Sequence, residues 1–491
     1  MAEREHQGDD GNQRGERGDG GGPGAAGGSG GSPLERVLGL ITEVHRGEGI
    51  TALLMTLNVF LLLLAYYFIK PAREAFLLAN EGGARYKAYM GAAIAVVSFL
   101  VVPAYAALAN RVARNRLVVV VTLFFASNLA LFFTGAVAGT PPLWFALLFY
   151  LWVGVFNMMG VAQFWAFAND VYSEEQGKRL FPLVGVGASA GAWAGSLIAS
   201  FATRSVGVFG MLMVAAALLV VFAGVIQLVH RREASRPGSA YGGASEDADG
   251  SPRAGDEGGP DAKGAGDDAK GKGRGAFELV FRYRYLTLIA LFAVTFTVVN
   301  TNGEFMLSQL VEDRAAEVPE DERGEYIGTL YSRFYFGVNF LGILLQAFVV
   351  SRLVRYGGLR LAFFVLPVIA FADSLAVAIA PLLTVLWVGK TVENATDYSV
   401  NNTVRNMLWL PTTLDMKYKA KQAVDTFFVR LGDVASGLVV FILAGQLALG
   451  IRSFALLNLV IVGGWLFLAH LILKEQGRLR EQLKAEGAVR R

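Results

Sequence analysis

Leu61-Leu62-Leu63-Leu64-Ala65-Tyr66-Tyr67-Phe68-Ile69-Lys70-Pro71-Ala72-Arg73-Glu74 is an apolar run that ends in three full charges. Crossing a hydrocarbon core of about 30 Å takes ~20 mostly apolar residues, and the stretch 51–69 supplies them. Lys70, Arg73 and Glu74 stand at i, i+3 and i+4, on one face of that helix, with Tyr66 a turn earlier on the same stripe. An ionisable side chain at mid-membrane costs about 2.5–3.5 kcal/mol on insertion scales, so such residues face a cavity or a partner and mark a solute path. The other reading is an interfacial helix end, where Lys and Arg reach for the headgroups. Pro71 has no N–H, which frees the carbonyl of Tyr67 and predicts a local kink.

The rest of the chain repeats the theme. Of its 491 residues 54% are hydrophobic, and the mean hydropathy is +0.45, too apolar for a water-soluble globule. Windows of spanning length fall near 51–69, 89–109, 117–137, 143–168, 181–202 and 208–229. A second set falls near 284–308, 329–350, 360–380, 383–409, 424–446 and 453–473. The expected fold is therefore an all-α polytopic membrane protein with twelve transmembrane helices in two six-helix bundles, 49–232 and 277–475. Residues 1–33 are Gly- and charge-rich and read as a disordered cytoplasmic tail, and 233–276 as a disordered linker. Leu34, Val37, Leu38 and Ile41 recur at helical spacing among charges, so 34–48 reads as an amphipathic helix on the lipid surface. Residues 476–491 read as a second cytoplasmic tail.

A net charge of +3 with scattered basic residues excludes nucleic acid as a partner. With no cysteine and four scattered histidines there is no thiolate nucleophile and no metal-ligand spacing. No catalytic constellation appears, so neither an enzyme nor a cofactor is expected. Basic residues gather after alternate spans: Arg111, Arg114 and Arg116; Lys178 and Arg179; Arg231 and Arg232; Arg352 and Arg355; Lys417, Lys419 and Lys421. The other loops are poor in them apart from Arg85, Lys87 and the acidic 311–325 segment, so the positive-inside rule puts both termini in the cytoplasm, and the expected location is the cell (inner) membrane. The sequences 108–116 and 351–355 resemble the basic loop of major-facilitator carriers, with Asn110 and Ala113 where Asp and Gly are usual. Recurrence in both halves points to a duplicated six-helix unit.

Three further spans carry charges. The fourth ends in Asn169-Asp170; the seventh holds Asn300 and Glu304; the tenth holds Lys390, Glu393, Asp397, Asn401 and Arg405 near multiples of 3.6 residues. Arg73 precedes Arg85-Tyr86-Lys87-Ala88 by the interval that separates Arg405 from Lys417-Tyr418-Lys419-Ala420. Spans 1, 4, 7 and 10 are the leading helices expected of inverted three-helix repeats. Glu304 either pairs with an arginine, takes up a proton, or simply ties its helix to a neighbour. Gly187, Gly191 and Gly195, four apart, predict close helix packing rather than a phosphate loop.

Phe164-Trp165-Ala166-Phe167-Ala168-Asn169-Asp170, followed by Glu175-Gln176-Gly177-Lys178-Arg179-Leu180-Phe181-Pro182-Leu183, resembles the corresponding region of the nucleotide transporter family, the ATP/ADP translocases and their bacterial relatives. Lys419 to Asp425 and Arg430-Leu431-Gly432 resemble a second block of that family. The resemblance implies a major-facilitator-like fold and exchange of ATP for ADP and phosphate. Lys70, Arg73 and Glu74 stand where those carriers have Arg, Lys and Asp, Arg405-Asn406 where they have Lys-Glu, and Asp433 where they have Lys. The charge pattern thus carries over only in part.

The expected solute is a small anion, a nucleotide or another phosphorylated metabolite, with membrane lipid as the other partner. In this reading Lys70, Arg73 and Arg405 hold the anion, Tyr66 and Trp165 stack on a base, and Glu304, Glu393 and Asp397 balance the cations. Arg111, Glu174, Lys178 and Arg352, with Arg114, Arg179 and Arg355 beside them, latch a cytoplasmic gate. A proton-coupled carrier of a different solute and a non-transporting membrane receptor remain the alternatives.

Overall fold

A computed structural model describes residues 44–45, 47–109, 111–139, 142–236 and 275–485, and among these there is no strand. The first bundle comprises α1 (Gly49–Leu78), α2 (Gly83–Ala109), α3 (Arg114–Val137), α4 (Leu143–Val171), α5 (Glu174–Val206) and α6 (Gly210–Ala234). A short helix, Ala276–Arg282, precedes α7 (Arg284–Ala315). Arg323–Ile379 then runs as one 57-residue helical stretch. At 1.5 Å per residue it would span roughly 85 Å, far more than one crossing needs. Gly358, at φ 65° and ψ −178°, breaks it, because that conformation is open to glycine and not to L side chains. We number its parts α8 (323–357) and α9 (359–379). α10 covers 383–407 and is followed by α11 (Met416–Gln446) and α12 (Ile451–Ala485).

Among the described residues ten helices are long and apolar enough to cross a membrane, where the sequence reading has twelve. Both differences have a local cause. The break at Gly358 divides one of the ten into two membrane-length pieces. The other missing span is α10, which is helical over 383–407 but carries Lys390, Glu393 and Asp397 in every window long enough to span.

Helix ends follow from local chemistry. Ser173 caps α5, accepting the N–H of Gln176 while the Gln176 side chain accepts the N–H of Ser173. Only Tyr172 and Ser173 separate α4 from α5. α1 runs on through Lys70, Pro71 and Glu74 to Leu78, so the charges lie inside the helix rather than at its end. A side chain at Gly187, Gly191 or Gly195 would overlap the backbone of Thr56, Phe60 or Leu64, which is how α5 lies directly on α1.

Of the terminal segments and linker, 1–43, 46, 237–274 and 486–491 fall outside the described residues. α12 continues as helix to Ala485, past the boundary placed at 475. An apolar core fills the first bundle and continues through Phe305, Leu307, Tyr331 and Phe334 into the second; a separate core around Phe292, Phe363 and Trp465 fills the rest of the second bundle. The bundles therefore share a core at the end away from the chain termini. There Glu312 of α7 accepts the N–H groups of Gly82 (2.6 Å) and Ala84 (2.8 Å), at the turn between α1 and α2.

Candidate functional site

Toward the far end, near the last turn of α1 and the first of α2, the two bundles meet through charges. Glu74 of α1 is completely buried. It pairs with Arg73 beside it and with Lys87 of α2 at 2.9 Å, and it accepts the hydroxyl of Tyr335 from α8 at 3.2 Å. Lys87 also donates to Ser308 of α7 (2.9 Å) and Tyr331 of α8 (3.4 Å), and it lies 3.7 Å from the Glu304 carboxylate. Each of these groups would be costly to bury alone, and together they satisfy one another while joining α1, α2, α7 and α8. One layer further, Asn339 of α8 accepts the Tyr67 hydroxyl (3.1 Å) and donates to the Ala192 carbonyl and the Ser196 hydroxyl of α5, both at 3.2 Å.

The second bundle carries its own pairs. Lys390, fully buried, lies 3.0 Å from Glu393 and donates to the Asn300 side chain at 2.9 Å. Asn394 donates to Glu304 at 2.9 Å, and Asn401 to Asp397 at 2.7 Å. Arg430 pairs with Asp433 of the same helix at 3.0 Å.

Lys70 differs from all of these. Among the described residues it has no carboxylate within ion-pair distance, and its ammonium sits over three tyrosine rings: Tyr335 at 4.0 Å, Tyr67 at 5.3 Å and Tyr66 at 5.7 Å. Arg73 lies over the Tyr150 ring at 4.4 Å. These groups surround a cavity of about 290 Å³ between the bundles, lined by Lys70, Arg73, Lys87, Tyr150, Asn300, Glu304, Tyr335, Asn394, Asp397, Tyr398, Arg430 and Asp433. Tyr398 also lines a second cavity of about 810 Å³, between α1, α5, α8 and α10, whose walls are uncharged: Trp193, Asn339, Gln346 and Asn402 among small and branched apolar residues.

Of the residues singled out in the sequence, Lys70, Arg73, Asn300, Glu304 and Asp397 line the charged cavity. Tyr66, Glu74, Lys390 and Asn401 stand behind it, each against a group on its wall, and Glu393 lies one layer further back, paired with Lys390. The others lie elsewhere. Trp165 packs edge-on against Phe164 and Phe181, and Asn169 and Asp170 end α4 away from the lining. Arg405 turns toward α11 and pairs with Asp425 at 3.1 Å.

The expected gate residues do not bridge the bundles. Glu174 and Lys178 pair within one exposed turn of α5 at 2.6 Å. Arg352 donates to the Phe348 carbonyl of its own helical stretch, Arg355 lies over Tyr356, and Arg111 is exposed. The Arg114 side chain lies outside the described residues. Arg179 pairs with Glu48, the residue before α1, at 3.1 Å. Burial raises the Glu48 carboxyl, but Arg179, the His45 N–H and Gln176 outweigh it and hold the group below its ordinary range.

Sequence reasoning missed Lys87, Tyr150, Tyr331, Tyr335, Asn394, Tyr398 and the pair Arg430–Asp433. Lys87 reads as a loop cation just before a span, whereas it is buried inside α2. Its one signal was the shared interval with Arg73.

The cavity thus lies between two helical bundles and is walled largely by paired charges. The sequence from 263 to 476 matches the TLC ATP/ADP transporter family. The second block of the resemblance, 419–432, lies inside that range and the first, 164–183, outside it. No curated protein matches the chain. Among solved structures, the nucleoside transporter NupG superposes with a TM-score of 0.56 at 13% identity, covering 87% of this chain and 98% of its own. An auto-inhibited peptide transporter of the POT family gives 0.55 at 11% identity, with 87% and 97% covered. At such identities the likeness establishes the fold alone, and that fold is major-facilitator-like. The protein is a multi-pass membrane protein.

Proposed function

We propose that the protein is a secondary carrier that moves a small solute bearing an anionic group, by alternating access of its two bundles around the charged cavity. The observation that supports this most is Lys70: a cation on the cavity wall, inside the membrane, held by aromatic rings and left without a carboxylate. An anionic group of the solute would complete it by a charge-assisted hydrogen bond, with Arg73 alongside. The family match brings nucleotides and phosphorylated metabolites among the candidate solutes. The large uncharged cavity beyond Tyr398 would accommodate the body of the solute, with Trp193 available for stacking.

In this reading both termini face the cytoplasm and the structure is the cytoplasm-open state. Among the described residues, the hydrogen bonds joining the bundles lie at mid-depth or at the far end. The direct test is uptake by proteoliposomes of labelled phosphorylated solutes, ATP and ADP included. Uptake that Lys70→Gln abolishes is expected. Absence of uptake for every solute with an anionic group would remove the reading.

A further inference from the structure

The charges around the cavity limit what it can hold. The cations are Lys70, Arg73, Lys87, Lys390 and Arg430, and the carboxylates are Glu74, Glu304, Glu393, Asp397 and Asp433. Four of these cations and three of the carboxylates line the wall, and Lys390, Glu74 and Glu393 stand behind it, so wall and backing together carry five of each sign. Most are already matched: Arg73 and Lys87 with Glu74 and Glu304, Lys390 with Glu393, Arg430 with Asp433. Two remain. Lys70 has only tyrosine rings, and Asp397 accepts one amide N–H from Asn401 and has no cation within ion-pair distance among the described residues. Both line the same cavity. Asp373 of α9, buried behind α10 against Gly389, adds no positive charge.

A polyanion fits this poorly. A nucleoside di- or triphosphate would bring several negative charges to a neutral site with one unmatched cation. Each uncompensated charge at membrane depth costs on the order of 2.5–3.5 kcal/mol on insertion scales. Freeing Arg73 or Lys87 instead would leave Glu74 buried without its cations, which is strongly unfavourable. A solute with one negative and one positive group satisfies both open positions and breaks no pair.

We propose that the transported solute is a small zwitterion, its carboxylate, sulfonate or phosphate held by Lys70 and its amino group by Asp397. This rests on the carrier reading above and narrows its solute class. Asp397 also opens the π turn of α10, a feature that frequently marks functional positions.

The test uses the full-length protein in lipid nanodiscs. The probes are ω-amino carboxylates, sulfonates and phosphates of graded chain length, each beside its amine-free counterpart, together with ADP and ATP. Binding is read as dissociation constants from thermal stabilisation. At least one aminated probe should bind roughly tenfold tighter than its amine-free counterpart, the effect of one charge-assisted hydrogen bond. Asp397→Asn should erase that preference, and Lys70→Gln should weaken both members of the pair. The comparison within the unaltered protein stands even if a variant folds badly.

Amine-free probes, ADP or ATP binding as tightly as any zwitterion, in a Lys70-dependent way, would overturn the zwitterion and leave the carrier reading intact. No binding by any probe would overturn both.

Discussion

The far end of the molecule and the end near the termini carry matching sequence patterns in opposite surroundings. At the far end Arg73, Glu74 and Lys87 are buried together and join the bundles. At the other end Arg405 pairs with Asp425, Lys421 with Asp425 and Lys419 with Asp415, all within the second bundle and all partly or well exposed. The same interval from a leading-helix arginine to a Lys-bearing helix start produces a buried junction in one place and solvent-screened pairs in the other. Which of the two a charge cluster becomes depends on whether the opposite bundle covers it. In an alternating carrier, the covered end is the closed one.

The two ends should therefore respond differently to loss of a charge. Lys87→Met leaves Glu74 and Glu304 without their shared cation, and a loss of about 3–5 kcal/mol is expected, read as the melting temperature in detergent. Combining it with Glu74→Gln should recover part of that loss, because the stranded charge is gone; an additive result would show that the two do not form one unit. Glu312→Ala, which removes the acceptor for Gly82 and Ala84 between the bundles, should cost about 1–3 kcal/mol.

Arg405→Gln at the open end should cost only about 0–1 kcal/mol. A loss as large as that of Lys87→Met would mean that the open end is covered as well.

The smallest expected effect comes from Glu48. Its folded-state carboxyl lies below the ordinary range, so its contribution is fully present above that range and is lost as pH falls through the lower folded value. Arg179→Gln should lower the melting temperature at neutral pH, with the difference closing in acid. A difference that persists at the lowest pH would indicate a purely packing role.

Much of this arrangement was legible in the chain. Apolar windows located the helices, and the intramembrane charges located three helices that line the charged cavity, since Lys70 and Arg73 of α1, Glu304 of α7 and Asp397 of α10 reach it. Extrapolating helical spacing failed in α10. The π turn Asp397–Asn401 takes more residues per turn than an α-helix, so the stripe that begins at Lys390 rotates before Arg405, which then faces α11. Trp165 failed for a different reason, because an aromatic residue beside charges gives no sign of which neighbour it packs against.

Lys87, Tyr331 and Tyr335 were hidden because their roles depend on contacts from the other bundle, far away in sequence. The gate residues were chosen as loop cations. Among the described residues no hydrogen bond or ion pair of these side chains joins the two bundles: Lys178 and Arg352 bond within their own helices, Arg179 pairs with Glu48, and Arg111 is exposed.

The absence of cysteine from the chain makes the central claim, closure at one end and opening at the other, directly measurable. Gln346 lines the open cavity, so Gln346→Cys provides a single reporter. A membrane-impermeant maleimide should label it from the side of the termini and not from the opposite side. With Lys87→Met added, labelling from the opposite side should appear. Equal labelling from both sides in the protein with Lys87 intact, or none from the side of the termini, would contradict the account.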